Sequence, residues 1–124
     1  MATISVLVDT DIFIDYFNRG IFSAVFDSPR FTVYYSAVTK KELLSKAGLR
    51  EAERQAILAE LGRCRMINLT ETITVRYTEL RGRYPSLAKE DALIAASALV
   101  RNLPLITRNK KHFRLVEGLT ILGS

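Results

Sequence analysis

Apolar strands alternating with amphipathic helices predict an α/β fold, a three-layer α/β/α sandwich around a mostly parallel, roughly five-stranded sheet. Three observations carry that expectation. Short apolar or β-branched runs recur at residues 4–8, 31–35, 66–69, 105–107 and 119–122. The stretches between them have helical periodicity. The segment ALIAASALV, residues 92–100, is apolar nearly all round, as a helix covering a parallel sheet is.

Ile4-Ser5-Val6-Leu7-Val8 reads as a buried strand ending at Asp9. Thr10 or Asp11 is placed to cap the next helix, with Ile12, Phe13 and Tyr16 facing inward and Asn18-Arg19-Gly20 as the stop. Phe31 to Tyr35 is a second strand, rich in aromatic and β-branched residues. Ser36 or Thr39 opens a helix to about Ala47, where Gly48 breaks it. Arg50 to Gly62 carries an apolar stripe of Ile57, Leu58 and Leu61. Met66-Ile67-Asn68-Leu69 forms a brief third strand. Ile73, Tyr77, Leu80 and Tyr84 mark a further helix, ended by Pro85. The buried helix runs from about Leu87 to Val100, and Leu105-Ile106-Thr107 and Leu119 to Leu122 complete the strands.

A length of 124 residues fits one domain with a proper core. Cys64 is the single cysteine, so no internal disulfide forms; it reads as a small buried hydrophobe. The opening residues lack a basic n-region, and no stretch approaches the ~20 apolar residues of a membrane span. A cytoplasmic location is the expectation. The formal net charge of +5 suits a polyanionic partner.

The topology steers acids to one rim. In parallel α/β sheets, ligands bind outside the carboxyl ends of the strands. Asp9 stands at such an end. Glu42 is placed in the first turn of the helix after strand two, and Asp91 in the early turns of the helix feeding strand four. Thr107 and Asn109 close strand four at the same edge. Each acid has a plainer alternative: Thr39-Lys40-Lys41-Glu42 is a capping box by pattern, Asp91 suits a helix N-terminus, and Asp9 suits a turn. Carboxylates sharing a crevice repel unless a cation neutralises them. Hard oxygen ligands without thiolate partners indicate Mg²⁺ or Mn²⁺, ions that activate water beside a phosphodiester. P-loop, GxGxxG, HExxH and GxSxG motifs are absent, and the lone His112 reads as structural or phosphate-contacting.

These pieces resemble one family. Val8-Asp9-Thr10-Asp11-Ile12, Ser36-Ala37-Val38-Thr39 with Glu42-Leu43, Asp91 to Ala98, and Leu105-Ile106-Thr107-Arg108-Asn109 with His112-Phe113 occur in the order and spacing of PIN-domain nucleases. They closely resemble the toxin subunits of VapBC-type toxin–antitoxin modules. The likeness spans about residues 4 to 122, so residues 1–124 are expected to form a single nuclease domain. It implies Mg²⁺- or Mn²⁺-dependent endoribonuclease activity, homodimerisation, and silencing by a small antitoxin. Asp9 and Asp91 become the principal metal ligands, and Glu42 a further ligand or the water-orienting base. Thr10, Asp11 and Thr107 become groups that hold the carboxylates in place.

One departure concerns the stretch after strand four. Many PIN domains carry a fourth acid there, whereas this chain has Thr-Arg-Asn-Lys-Lys-His, with the neutral Asn109 as nearest substitute. One firmly held ion is therefore expected. Arg108, Lys110, Lys111 and Arg114 are candidate RNA-phosphate contacts. Tyr34, Tyr35 and Tyr84 are candidates for base stacking, with a core role as the alternative. Ile21, Phe22 and Phe26 are candidates for an apolar contact surface. Two rivals remain: a non-catalytic PIN-fold module that binds nucleic acid or antitoxin, and a haloacid-dehalogenase-like phosphatase, suggested by Asp9-Thr10-Asp11.

Overall fold

The central strand of a computed structural model describing residues 2–123 is the first one, and every strand pairing in the sheet is parallel. β1 (Ile4–Val8) leads into α1 (Thr10–Arg19) and the short α2 (Ser23–Phe26). β2 (Phe31–Ser36) is followed by α3 (Ala37–Leu44) and α4 (Glu51–Gly62). β3 (Arg65–Ile67), α5 (Glu71–Arg83), α6 (Lys89–Arg101), β4 (Leu105–Ile106) and α7 (Lys110–Phe113) complete the order. The strands lie β3-β2-β1-β4, so the chain steps outward twice and then crosses back to the far side of β1. That reversal opens a crevice at the carboxyl end of β1, where α/β sheets bind ligands.

Period-two alternation puts β1 at the heart of two cores. Val6 and Val8 pack with Ile12, Phe13, Leu43, Ile57 and Leu61 beneath α1, α3 and α4. Leu7 points the other way, into a core with Ile73, Leu80, Ile94, Ala95 and Phe113 under α5 and α6. The expected three layers are present. No helix among the described residues is long and apolar enough to cross a membrane.

The fifth strand shrinks to one bridge, Leu105 to Ile121. β4 is too short to extend that ladder: it spans only Leu105–Ile106, and the chain turns away after it. Leu105 exchanges its two backbone bonds with Thr120 and Leu122 (2.8 and 2.9 Å), and pairing stops there.

Boundaries shift for identifiable reasons. Asp9 itself caps α1, instead of Thr10 or Asp11, because the carboxylate directly after a strand already sits at the helix mouth. Ser36 caps α3 through Val38 N–H (3.2 Å), and Thr39 lies inside the helix. The Thr39–Glu42 capping box therefore does not form, and Glu42 falls in the second turn. α3 ends at Leu44, before Ala47, where Ser45 turns back on the Lys41 carbonyl. β3 begins one residue earlier than its apolar run and ends at Ile67, since its register is set by Tyr34, Tyr35 and Ser36.

Two short helices, α2 and α7, were not anticipated; a four-residue helix leaves no periodic trace. α2 turns Phe26 inward onto Phe13 and Tyr16, with ring centroids 4.9 and 4.4 Å away. Phe26 is thus core rather than contact surface, Phe22 is half-buried, and Ile21 alone of that trio is exposed. Tyr35 is buried, and Tyr34 packs against the core under Arg101. The Tyr84 hydroxyl accepts the Glu117 N–H (3.0 Å). None of the three tyrosines stands free to stack a base. Cys64 is a free, half-buried thiol pushed up to about 11 by burial.

Candidate functional site

Asp9 extends the pairing of β1 by donating its N–H to the Ile106 carbonyl (3.0 Å), and its side chain is then trapped under α1. One carboxylate oxygen accepts the Thr10 N–H and the other the Thr107 hydroxyl, both at 2.8 Å. Thr107 Oγ1 in turn accepts the Asn109 N–H (2.9 Å), and the Asn109 side-chain amide donates to Asp91 Oδ2 (3.3 Å). A chain of hydrogen bonds therefore joins the acid at the end of β1 to the acid in the first turn of α6. The connecting groups sit on the loop after β4, which reaches this point because β4 pairs beside β1.

Glu42 arrives from α3. Its Oε1 accepts the Thr10 hydroxyl (2.9 Å), whose oxygen lies 2.8 Å from the fully buried Thr39 hydroxyl. Because the Thr10 proton is committed to Glu42, Thr39 donates to Thr10. Thr10, the first residue of α1, thus holds two different acids: Asp9 through its backbone N–H and Glu42 through its hydroxyl.

Burial and mutual repulsion both resist ionisation here. Asp9 is only 4% exposed, and desolvation pushes its carboxyl up to about 6. Thr107 and the Thr10 N–H pull it back down, while Asp91 and Asp11 push it further up. Glu42 is raised by desolvation, then by Glu90, Asp11 and Asp91, against the lowering bond from Thr10. Asp91 is raised by desolvation and by Asp11 and Glu90, with His112 and Asn109 opposing. Asp11 thus bears on Asp9, Glu42 and Asp91, and Glu90 on Glu42 and Asp91, across one rim.

Glu90 escaped the sequence reading, although it directly precedes Asp91 at the same helix start. Asp15 was also missed; its position one turn after Asp11 was the available signal.

The donor set fits a hard divalent cation. All candidate ligands are oxygens, and buried Asp9 and half-buried Asp91, each raised by desolvation and by neighbouring acids, would gain from a positive charge beside them. Among the described residues no three His, Cys, Asp or Glu side chains converge into a ready-made cage.

The basic residues divide. Arg108 is half-exposed and faces two acids of α1, with Nη1 3.1 Å from Asp15 and Nη2 3.8 Å from Asp11. Lys110 donates to the Gly123 carbonyl (2.8 Å), while Lys111 and Arg114 are exposed. Asp11 makes its closest charged contact with Arg108; its influence on Asp9, Glu42 and Asp91 is electrostatic.

Beside the acids runs a groove of about 560 Å³ between α1, α3 and α4. Ile14, Phe17, Leu49 and Ile57 form its apolar walls, and Asp11 and Glu42 also line it.

Comparison with known proteins places this geometry. The PIN domain family matches residues 6–119. Ribonuclease VapC10 of Mycobacterium tuberculosis (strain H37Rv) is 34% identical over 125 aligned residues, covering 92% of this chain and 90% of that protein. Ribonuclease VapC1 of Methanocaldococcus jannaschii is 31% identical, over 94% and 85% of the two chains. Among solved structures, a toxin–antitoxin complex from Klebsiella pneumoniae superimposes with a TM-score of 0.73 at 32% identity, covering 93% of this chain and 95% of that one. VapBC2 from Rickettsia felis, bound to a promoter DNA fragment, gives 0.82 at 24% identity (95% and 97% covered), a likeness of fold.

Proposed function

This chain belongs to the PIN-domain family, and from that premise we infer that it is a metal-dependent endoribonuclease, the toxin of a type II toxin–antitoxin pair. The observation that carries the catalytic assignment is the hydrogen-bonded chain from buried Asp9 through Thr107 and Asn109 to Asp91, with Glu42 held opposite by Thr10. Asp9 and Asp91 are the proposed ligands of Mg²⁺ or Mn²⁺. When bound, that ion supplies activation of water and neutralisation of charge on the phosphate.

The chain's own residues do the positioning. Thr107 and the Thr10 N–H leave Asp9 one orientation, so its charge stays directed to the rim. Glu42, half-sheltered, raised by desolvation and held by the Thr10 hydroxyl, is the proposed acceptor of a proton from water. Lys111 and Arg114 are placed to contact flanking phosphates. The phosphatase alternative fits poorly, since the family that matches residues 6–119 is the PIN domain.

A small antitoxin is the proposed occupant of the apolar groove, where it would reach Asp11 and Glu42. The Klebsiella pneumoniae relative was solved as a toxin–antitoxin complex, which supports an antitoxin partner. A homodimer is part of the same reading, since two-fold pairing is the default for such units. A cytoplasmic setting, where RNA is at hand and Cys64 stays reduced, completes it.

The deciding experiment is cleavage of RNA by purified protein with Mg²⁺ or Mn²⁺, with EDTA, and with Asp91→Asn prepared in parallel. Fragments bearing 5′-phosphates, lost with EDTA and in the variant, are expected. Equal cleavage by the variant would defeat the carboxylate assignment, and RNA binding without cleavage would favour the non-catalytic module.

A further inference from the structure

Asp15 is an odd residue to bury. Its side chain is 7% exposed, yet it serves no cap and contacts none of the acids at the rim. Its Oδ2 is closed off from solvent without an aligned hydrogen bond, and the group facing it is the Arg108 guanidinium at 3.1 Å. The pair joins a buried carboxylate to a half-exposed guanidinium, so the cost of desolvating Asp15 offsets much of the attraction. Such a pair is better understood by what it holds in place.

Arg108 lies between the two residues that carry the site's hydrogen-bond chain. Thr107 before it donates to Asp9, and Asn109 after it donates its backbone N–H to Thr107 and its side-chain amide to Asp91. The loop holding all three follows a strand of two residues and precedes a helix of four, so neighbouring secondary structure restrains it little. α1 offers the counter-surface: Asp11 and Asp15, one turn apart, both face the guanidinium. α1 is also the helix that Asp9 caps.

We propose that Asp15 is a positioning residue: through Arg108 it braces residues 107–109 against α1 and so sets the placement of Asp9 and Asp91 toward the cation. This rests on the metal reading above. Asp15 touches neither substrate nor ion. It acts by pinning the loop whose hydrogen bonds orient both ligands.

The test compares the parent protein with Asp15→Asn, which keeps shape and removes charge, and Arg108→Met, which keeps the stem of a half-exposed side chain. Amide exchange in metal-free protein reads the brace, with Val8 in β1 as the control for global stability. Calorimetric Mn²⁺ titration reads the site. In each variant the Asn109 amide is expected to exchange roughly tenfold faster while Val8 is unmoved. Mn²⁺ affinity is expected to fall roughly tenfold, and the double variant to be no weaker than the weaker single.

Unchanged Asn109 exchange overturns the proposal, and so does faster exchange with parental Mn²⁺ affinity. Should Asp15→Asn fail to fold, Arg108→Met decides both readings. Failure of the parent to bind Mn²⁺ would instead defeat the metal reading, leaving amide exchange and RNA cleavage rates to judge the brace.

Discussion

Replacing Asp9 by Asn should stabilise the metal-free protein while destroying its cleavage. In the fold the Asp9 carboxyl titrates at about 6, against 3.8 for an unperturbed group. Between those values the folded state keeps a proton that the unfolded chain has shed, so stability falls as pH rises through that window. Two pH units at about 1.4 kcal/mol each place the burden above pH 6 at about 3 kcal/mol. At 4% exposure solvent screening relieves little of it.

Asn removes the charge but gives part of the gain back. Its oxygen can still accept the Thr10 N–H, but its amide must donate where the carboxylate accepted the Thr107 hydroxyl. That lost bond costs about 1 kcal/mol. A net gain of about 1–2 kcal/mol remains at pH 8, or roughly 4–8 °C in Tm for a chain of this size. The assay is thermal and urea unfolding followed by circular dichroism, from pH 4 to 8 in EDTA. The advantage should shrink toward pH 4, where Asp9 is protonated in the parent fold. Saturating Mn²⁺ should stabilise the parent alone, by about 2.7 kcal/mol at a hundredfold excess over Kd, and close or reverse the gap. A variant no more stable than the parent at pH 8, or with the same advantage at pH 4, would refute the claim that burial loads this carboxylate.

Other consequences are independent of that one. Thr107→Val deletes the hydroxyl that favours ionised Asp9, so the Asp9 carboxyl should titrate above about 6 in metal-free protein, as read by carbon-detected NMR. Calorimetry without RNA should count one Mn²⁺ per chain, and Asn109→Asp should strengthen a second site by adding charge beside Asp91; two equally tight sites in the parent would show an undercounted ligand. Ile14→Glu, at the exposed wall of the groove, should weaken inhibition by the antitoxin roughly tenfold or more while RNA cleavage persists, measured by titrating antitoxin into a cleavage assay.

How much of this was written in the chain is clearest from particular residues. Hydrophobic periodicity is local, so β1, α1, α5 and the buried α6 were readable from residues a few positions apart. The strand-then-acid order, with the general rule for parallel sheets, was enough to bring Asp9, Glu42 and Asp91 to one rim. Asn109 in place of an acid was visible as plain residue identity. The unread features depend on neighbours far away in sequence. Whether residues 119–122 formed a strand turned on the two-residue β4 beside them. Phe26 became core only because α2 folds it onto Phe13 and Tyr16.

The same holds at the site. Sequence determined which acids are present and along which edge they gather, because side-chain chemistry and strand direction are properties of the chain itself. Tertiary structure decided how each is held. Thr39 looked like a cap and is instead a buried donor to Thr10, and Arg108 looked free for phosphate yet faces a carboxylate 93 positions earlier. A hydrogen bond or a buried charge draws its strength from the dielectric and the partners that packing brings to it. No window along the chain contains those partners, and only the folded sheet puts Asp15 and Arg108 side by side.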